Sequence, residues 1–264
     1  MAESKRVFGL PGSPGQSNTA AGHGLGHSFH LILYSANMGD KFIPDVVLRD
    51  NTSQRLPCMI VLDGSSSMSR KPDGVSAVSE LNAGLKVLEQ ELKADDVASQ
   101  RVQLKILRIG GSDEVQVVTD WTDAMDFEAP EISAKGTTPL GAGIRTALEA
   151  IEQQKENYNS HDIPYNRPWL FIITDGGPTD RKWEDTALAC RMAEAEGKVV
   201  VFLIGTGSAN FEKLSRFSRR APLRMEGLNF NELFVWLSCS ASSGSQTALE
   251  SEFTLPEISW GETA

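Results

Sequence analysis

The run Asp63-Gly64-Ser65-Ser66-Ser67 follows directly on the apolar stretch Cys58-Met59-Ile60-Val61-Leu62. A carboxylate and two alternate hydroxyls therefore emerge where a buried strand opens into a loop. A second apolar stretch, Trp169 to Thr174, ends in Asp175-Gly176-Gly177 and delivers another carboxylate in the same way. Between them, Gly136-Thr137-Thr138-Pro139-Leu140 opens a helical pattern, with Pro139 suited to the first helical position. Singly, each piece has a plain explanation: Thr138 as an N-cap, Asp175 as a turn residue, Ser65 to Ser67 as a polar loop. Jointly they do not. Asp63, Ser65, Ser67, Thr138 and Asp175 would bring two carboxylates and three hydroxyls to one edge, where a hard cation suits oxygen donors that would otherwise be poorly satisfied. With short hydroxyl side chains, no Glu and no EF-hand loop, the set describes a small octahedral cage that keeps waters. This favours Mg²⁺ or Mn²⁺ over Ca²⁺. An octahedron left incomplete by the chain has a position that an acidic side chain of a partner protein can fill.

The elements that must hold these residues are written in the hydropathy pattern. From Cys58 onward, short apolar runs alternate with stretches of helical period, which predicts an α/β fold: a doubly wound, mostly parallel sheet with helices on both faces. The expected strands are Cys58 to Leu62, Val102 to Ile109, Val115 to Thr119, Trp169 to Thr174 and Lys198 to Ile204, with a weaker sixth at Leu223 to Met225. Val75, Val78, Leu81, Leu85, Leu88 and Leu92 form one helical stripe, and Leu140, Ile144, Leu148 and Ile151 another. Asp180 is the expected cap of a third helix ending at Gly197, and Phe230 to Trp236 belongs to a last one. Residues 1–27, rich in Gly, Ser and Pro, read as a flexible arm. Residues 28–54 read as an additional hairpin docked on the domain, residues 55–240 as the domain itself, and 241–264 as a tail, loose or laid along the surface.

Composition narrows the function. The 264 residues are 40% apolar and 23% charged, enough to bury a core. A net charge of −10 repels a phosphate backbone, so nucleic acid is excluded as the expected partner. The beginning lacks the apolar core of a signal peptide, and no apolar run approaches the roughly 20 residues that span a bilayer. Three cysteines without CxxC spacing suit a reducing compartment, so the expected location is cytoplasmic and away from membranes.

Rival chemistries find less support. A Mg²⁺-dependent phosphatase could use Asp63 as nucleophile, but haloacid dehalogenase-type enzymes need a second acid two residues later, where Ser65 stands. No P-loop occurs. A serine hydrolase would need a base, and of four histidines His23, His27 and His30 lie in or beside the arm while His161 sits in a polar loop, expected to be exposed. In a third alternative the cation only steadies the loops of a scaffold. Lys213, Arg216, Arg219, Arg220 and Arg224 form a local basic cluster, either a solvated face or a receptor for an acidic or phosphorylated segment. Tyr165 and Trp169 are expected to roof the core.

The joint pattern resembles the von Willebrand factor A domain and its metal-ion-dependent adhesion site, D-x-S-x-S followed by a distant T and a distant D. Asp63, Ser65 and Ser67 match the first part, Thr138 the second and Asp175 the third, over roughly residues 55 to 240. The resemblance implies six central strands with the site at the top of the sheet. The phrases QRLPCMIVLD, KGTTPLGAGI, IPYNRPWLFIITDGGPTD and NELFVWLS are similar to the bacterial TerY-like branch associated with tellurium resistance. That likeness implies a cytoplasmic, non-enzymatic scaffold in a stress-response or defence system, beside a protein kinase and a metal-dependent protein phosphatase. Ser66 and Thr137 stand where the family usually has Gly, implying stiffer or differently turned loops. Gly64 takes the place of a side chain that would steady the loop.

Overall fold

The computed structural model describes residues 53–71, 74–111, 114–246 and 256–264. The expected arm at 1–27 lies outside them, as does the expected hairpin at 28–54 except for residues 53 and 54. One sheet organises the rest: β1 (Leu56–Gly64), β2 (Val102–Gly110), β3 (Glu114–Asp123), β4 (Trp169–Thr174), β5 (Val200–Gly205), β6 (Leu223–Met225) and β7 (Gly261–Thr263). Their spatial order is β3-β2-β1-β4-β5-β6-β7. The five from β2 through β1, β4 and β5 to β6 are parallel, and β3 and β7 close the two edges antiparallel. The helices are α1 (Ala77–Ala94), α2 (Ala98–Arg101), α3 (Leu140–Ser160), α4 (Trp183–Ala195), α5 (Phe211–Leu214) and α6 (Phe230–Ser245).

The continuous apolar strands divide their side chains between two cores because successive residues point to opposite faces. Cys58, Ile60, Leu62, Phe171 and Ile173 pack under α1 and α6 on one side. Met59, Val61, Leu107, Leu170 and Ile172 pack under α3 and α4 on the other. A sheet covered on both faces is the doubly wound arrangement. No helix among the described residues is long and apolar enough to cross a membrane.

Four details differ from the sequence reading. Among the described residues the sheet has seven strands, not six, because the described part of the tail adds an edge strand. Gly261–Thr263 pairs with β6, and Trp260 beside it is fully buried, edge-on to Trp236 at 5.6 Å. One buried indole supplies enough apolar area to hold a three-residue strand while leaving no period in the sequence. Val75 is 45% exposed, since α1 begins only after its cap Ser76, whose hydroxyl accepts from the Ser79 amide. Pro139 occupies the N-cap position of α3 instead of the first helical one. Asp180 does not start α4, which begins at Trp183; its carboxylate accepts the Gly141 and Ala142 amides at 3.0 and 3.1 Å and caps α3 from across the fold. Caps of this kind are worth about 1 kcal/mol, and here the cap also fixes the segment that carries Thr138.

Candidate metal centre

Strands β1 and β4 are hydrogen-bonded neighbours, with Leu62 opposite Ile173, and the chain order of the sheet reverses between them. Asp63, at the end of β1, and Asp175, just past β4, thus emerge side by side at the switch point where open α/β sheets bind ligands. Asp63 is fully buried; Oδ1 accepts the Ser65 amide at 2.8 Å and Oδ2 accepts the Thr174 hydroxyl at 2.5 Å. The Ser65 and Ser67 hydroxyls are 2.9 Å apart, and Ser67 Oγ donates to Asp175 Oδ1 at 2.5 Å. Four of the five expected residues are therefore joined in one hydrogen-bonded chain running from carboxylate to carboxylate. Thr138 is brought to the same rim by backbone bonds, its N–H donating to Thr179 Oγ1 and its carbonyl accepting the Thr179 amide. Its hydroxyl lies 3.5 Å from where a Cβ on Gly176 would stand, next to Asp175.

Burial pushes the Asp63 carboxyl above its ordinary range; the hydrogen bonds from Thr174 and Ser65 pull it back and the charge of Asp175 adds to the rise. Asp175 is raised as well, by burial, against the pull of the Ser67 hydrogen bond and the nearby Arg70 charge. Two carboxylates that resist ionising beside each other are relieved by a cation placed between them. The donor set, carboxylate and hydroxyl oxygens only, fits a hard divalent ion.

The loops around these donors are tied to one another. Ser66, where glycine was the family expectation, accepts the Gly136 amide on its hydroxyl at 2.8 Å and gives its own amide to the Gly136 carbonyl at 3.0 Å. Gly64 is required by packing: a Cβ there would lie 2.5 Å from Arg108 Nε. Arg108, only 2% exposed, does the steadying instead, its guanidinium donating to the Gly64 and Ser133 carbonyls.

Sequence reasoning passed over both Arg108 and Thr174. Arg108 left a signal, a cation inside the otherwise apolar end of the VQLKILRIG strand. Thr174 left none, since a terminal strand Thr is ordinary. Its hydroxyl orients Asp63 and also accepts the Gly176 amide at 3.1 Å. Groups that orient metal ligands typically affect affinity by about 10- to 100-fold. Thr174→Val is therefore expected to weaken Mg²⁺ binding by at least about tenfold, measured by titration calorimetry, with an unchanged circular dichroism spectrum.

Three members of the basic cluster lie over aromatic rings. Arg224 lies over the Phe211 ring at 3.9 Å, Lys213 over Trp183 at 5.7 Å, and Arg220 over Phe202 at 5.6 Å with its Nε 3.6 Å from Glu194. Arg216 and Arg219 are exposed. His161 is half-buried instead of exposed, its Nδ1 within 2.9 Å of the Asn157 carbonyl at the end of α3. Tyr165 and Trp169 are packing residues: Tyr165 meets Tyr158 at 5.4 Å, and Trp169, 5% exposed, meets Phe171 and Phe202 edge-on.

A doubly wound sheet with this rim defines the class, and residues 58–232 match the family model of the von Willebrand factor type A domain. The chain belongs to that family. No curated protein sequence matches it. Among solved structures, the pilus adhesin SpaC of Lactobacillus rhamnosus GG is similar at 11% identity and a TM-score of 0.55, over 73% of this chain and 32% of that one. A von Willebrand factor type A protein from Catenulispora acidiphila is similar at 14% identity and a TM-score of 0.50, over 72% and 43%. Proximal thread matrix protein 1 from the mussel byssus, in a structure with a zinc-occupied MIDAS motif, follows at 16% identity and 0.46, over 72% and 49%. The likeness spans half or less of each of these chains, and at such identities it is a likeness of fold.

Proposed function

We propose that this chain is a divalent-cation-dependent protein-binding domain, in which Asp63, Ser65, Ser67, Thr138 and Asp175 hold Mg²⁺ or Mn²⁺ and an acidic side chain of a partner protein completes the coordination. The observation that carries this reading is the unbroken run of contacts from Asp63 through Ser65 and Ser67 to Asp175 at the switch point of the sheet. When bound, the cation would add positive charge at the rim of a chain whose net charge is −10, and so favour the approach of an acid. The chain's own part is to fix the donors and leave one side of the ion to the partner. A nucleophilic role for Asp63 finds less support, because Ser65 stands where haloacid dehalogenase-type enzymes need a second acid. A cytoplasmic scaffold beside a kinase and a phosphatase, in a tellurium-resistance or stress system, rests on the sequence phrases alone.

Calorimetric titration tests the metal. Wild type binds Mg²⁺ or Mn²⁺, and Thr138→Ala, which removes one ligand without touching the core, loses at least about tenfold in affinity. Undiminished binding in that variant overturns the ligand assignment. For the partner, captures from native extract with Mg²⁺ and with chelator must differ; identical captures count against cation-dependent binding.

A further inference from the structure

A cleft of about 460 Å³ shares Ser67 and Asp175 with the metal centre and extends past it to residues that the centre does not use. Arg70 and Lys71 line it together with those two residues, and Ala77 and Leu228 give it apolar wall. The volume is at the lower end of the range of about 300–1,000 Å³ that encloses small ligands, so it takes side chains and not the face of a domain. Arg70 and Lys71 are both exposed and neither makes an ion pair with a described residue. Arg70 closes the short 3₁₀ turn Ser66–Ser69, its amide donating to the Ser67 carbonyl at 3.0 Å, and Lys71 follows it. The loop that carries Ser65 and Ser67 thus also places Arg70 and Lys71 at its side. In a strongly acidic chain such charges placed over an apolar-walled cleft form a local exception to the field of the whole molecule.

Resting on the reading above, we propose that this cleft is a second recognition subsite, and that the partner offers a short peptide segment with two acidic side chains. One carboxylate completes the cation; the other sits at Arg70 and Lys71, and the intervening segment lies against Ala77 and Leu228. A metal rim by itself selects any accessible carboxylate. A second charge at a fixed distance selects a spacing, which is how a single-ion site acquires specificity. Arginine suits the task because its planar fork pairs with a carboxylate through two hydrogen bonds, while lysine adds a mobile point charge.

The test is selection from a random linear peptide display library on the whole chain at saturating Mg²⁺, with release by chelator. Wild type is expected to enrich peptides with two acidic residues at one preferred separation. The exposed double charge reversal Arg70→Glu with Lys71→Glu is expected to keep the first acid and to replace the second by Lys or Arg. For the best wild-type peptide, changing the second acid to its amide lowers affinity about five- to tenfold on wild type, less at high salt, and has no such effect on Arg70→Ala with Lys71→Ala. Chelator-released peptides that share one acid with random flanks, in wild type and variant alike, overturn the subsite and leave the metal reading standing. Enrichment of an anionic residue that is indifferent to both substitutions does the same. If chelator releases nothing above background, the metal-dependent reading falls and the subsite falls with it.

Discussion

Asp63→Asn raises the melting temperature of the metal-free protein and abolishes the increase that Mg²⁺ gives to wild type. The two effects have opposite signs and one cause. In the absence of metal, Asp63 is a fully buried carboxylate next to a second one, and its charge is disfavoured by burial more than three hydroxyl and amide contacts repair. Asparagine keeps an acceptor for the Ser65 amide and removes the charge that burial disfavours. With metal, the same carboxylate would supply one of the two negative charges that hold the cation. At a Mg²⁺ concentration about 100 times its dissociation constant, wild type gains about 2.7 kcal/mol, or about 5–10 °C for a domain of this size, and the variant gains nothing. The pH dependence follows from the raised folded value. The folded state holds a proton where the unfolded state has released it, so the metal-free protein gains stability from this group as pH falls through the folded value towards the unfolded one near 3.9. Glu89, held below its ordinary range by the Lys93 hydrogen bond, works in the other direction, so the informative quantity is the difference between wild type and Asp63→Asn. That difference narrows on acidification in chelator. With Mg²⁺ present, acidification instead removes the metal's contribution, because the ligands must be deprotonated. Thermal melts across pH, with chelator and with Mg²⁺, check both arms. Equal metal-free melting of the two proteins, or a Mg²⁺-induced rise retained in the variant, sinks the account.

The parts of this site that could be read from the sequence are those where backbone periodicity alone does the positioning. A parallel strand buried on both faces is a continuous apolar run, and Trp169 to Thr174 has the same bounds in the structure as in the pattern. Residues just past such runs must gather at one edge of the sheet, which is why Asp63, Ser65, Ser67 and Asp175 can be grouped from the sequence. What escaped depends on contacts between distant segments. Asp180 reads as the beginning of its own helix, yet its carboxylate is used 39 positions earlier by the Gly141 amide. Trp260 reads as part of an aperiodic tail, yet its ring completes a core and brings β7 to the sheet edge. Arg108 reads as an irregularity in a strand, and only its reach to the Gly64 carbonyl shows it to be the brace beneath the metal loop.

Gly136→Ala is expected to destabilise the protein by about 3 kcal/mol or more, whether or not metal is present. The position combines two independent demands. Its φ of +79° belongs to the left-handed region that disfavours side chains, and a Cβ there would lie 1.6 Å from the Gly111 carbonyl oxygen, a backbone atom with no rotamer to change. Nor can the segment move aside as a whole. The Lys135 amide donates to the Gly64 carbonyl, the Gly111 amide to the Lys135 carbonyl, and the Thr137 amide to the Gly111 carbonyl, while Ser66 holds Gly136 through both its backbone groups. Relief of the clash must therefore break some of these bonds, and each of them ties the strand-end loops to the segment that carries Thr138. At about 2–4 °C per kcal/mol, the melting temperature in chelator falls by about 6–12 °C. Mg²⁺ affinity falls too, because Thr138 stands two residues on. The pair of readouts separates this residue from the ligands themselves. Loss of a ligand costs affinity and spares the metal-free fold, whereas loss of Gly136 costs both. An alanine variant that melts with wild type in chelator would mean that the stitched loop relaxes freely, and the preorganisation ascribed to it would have to be given up.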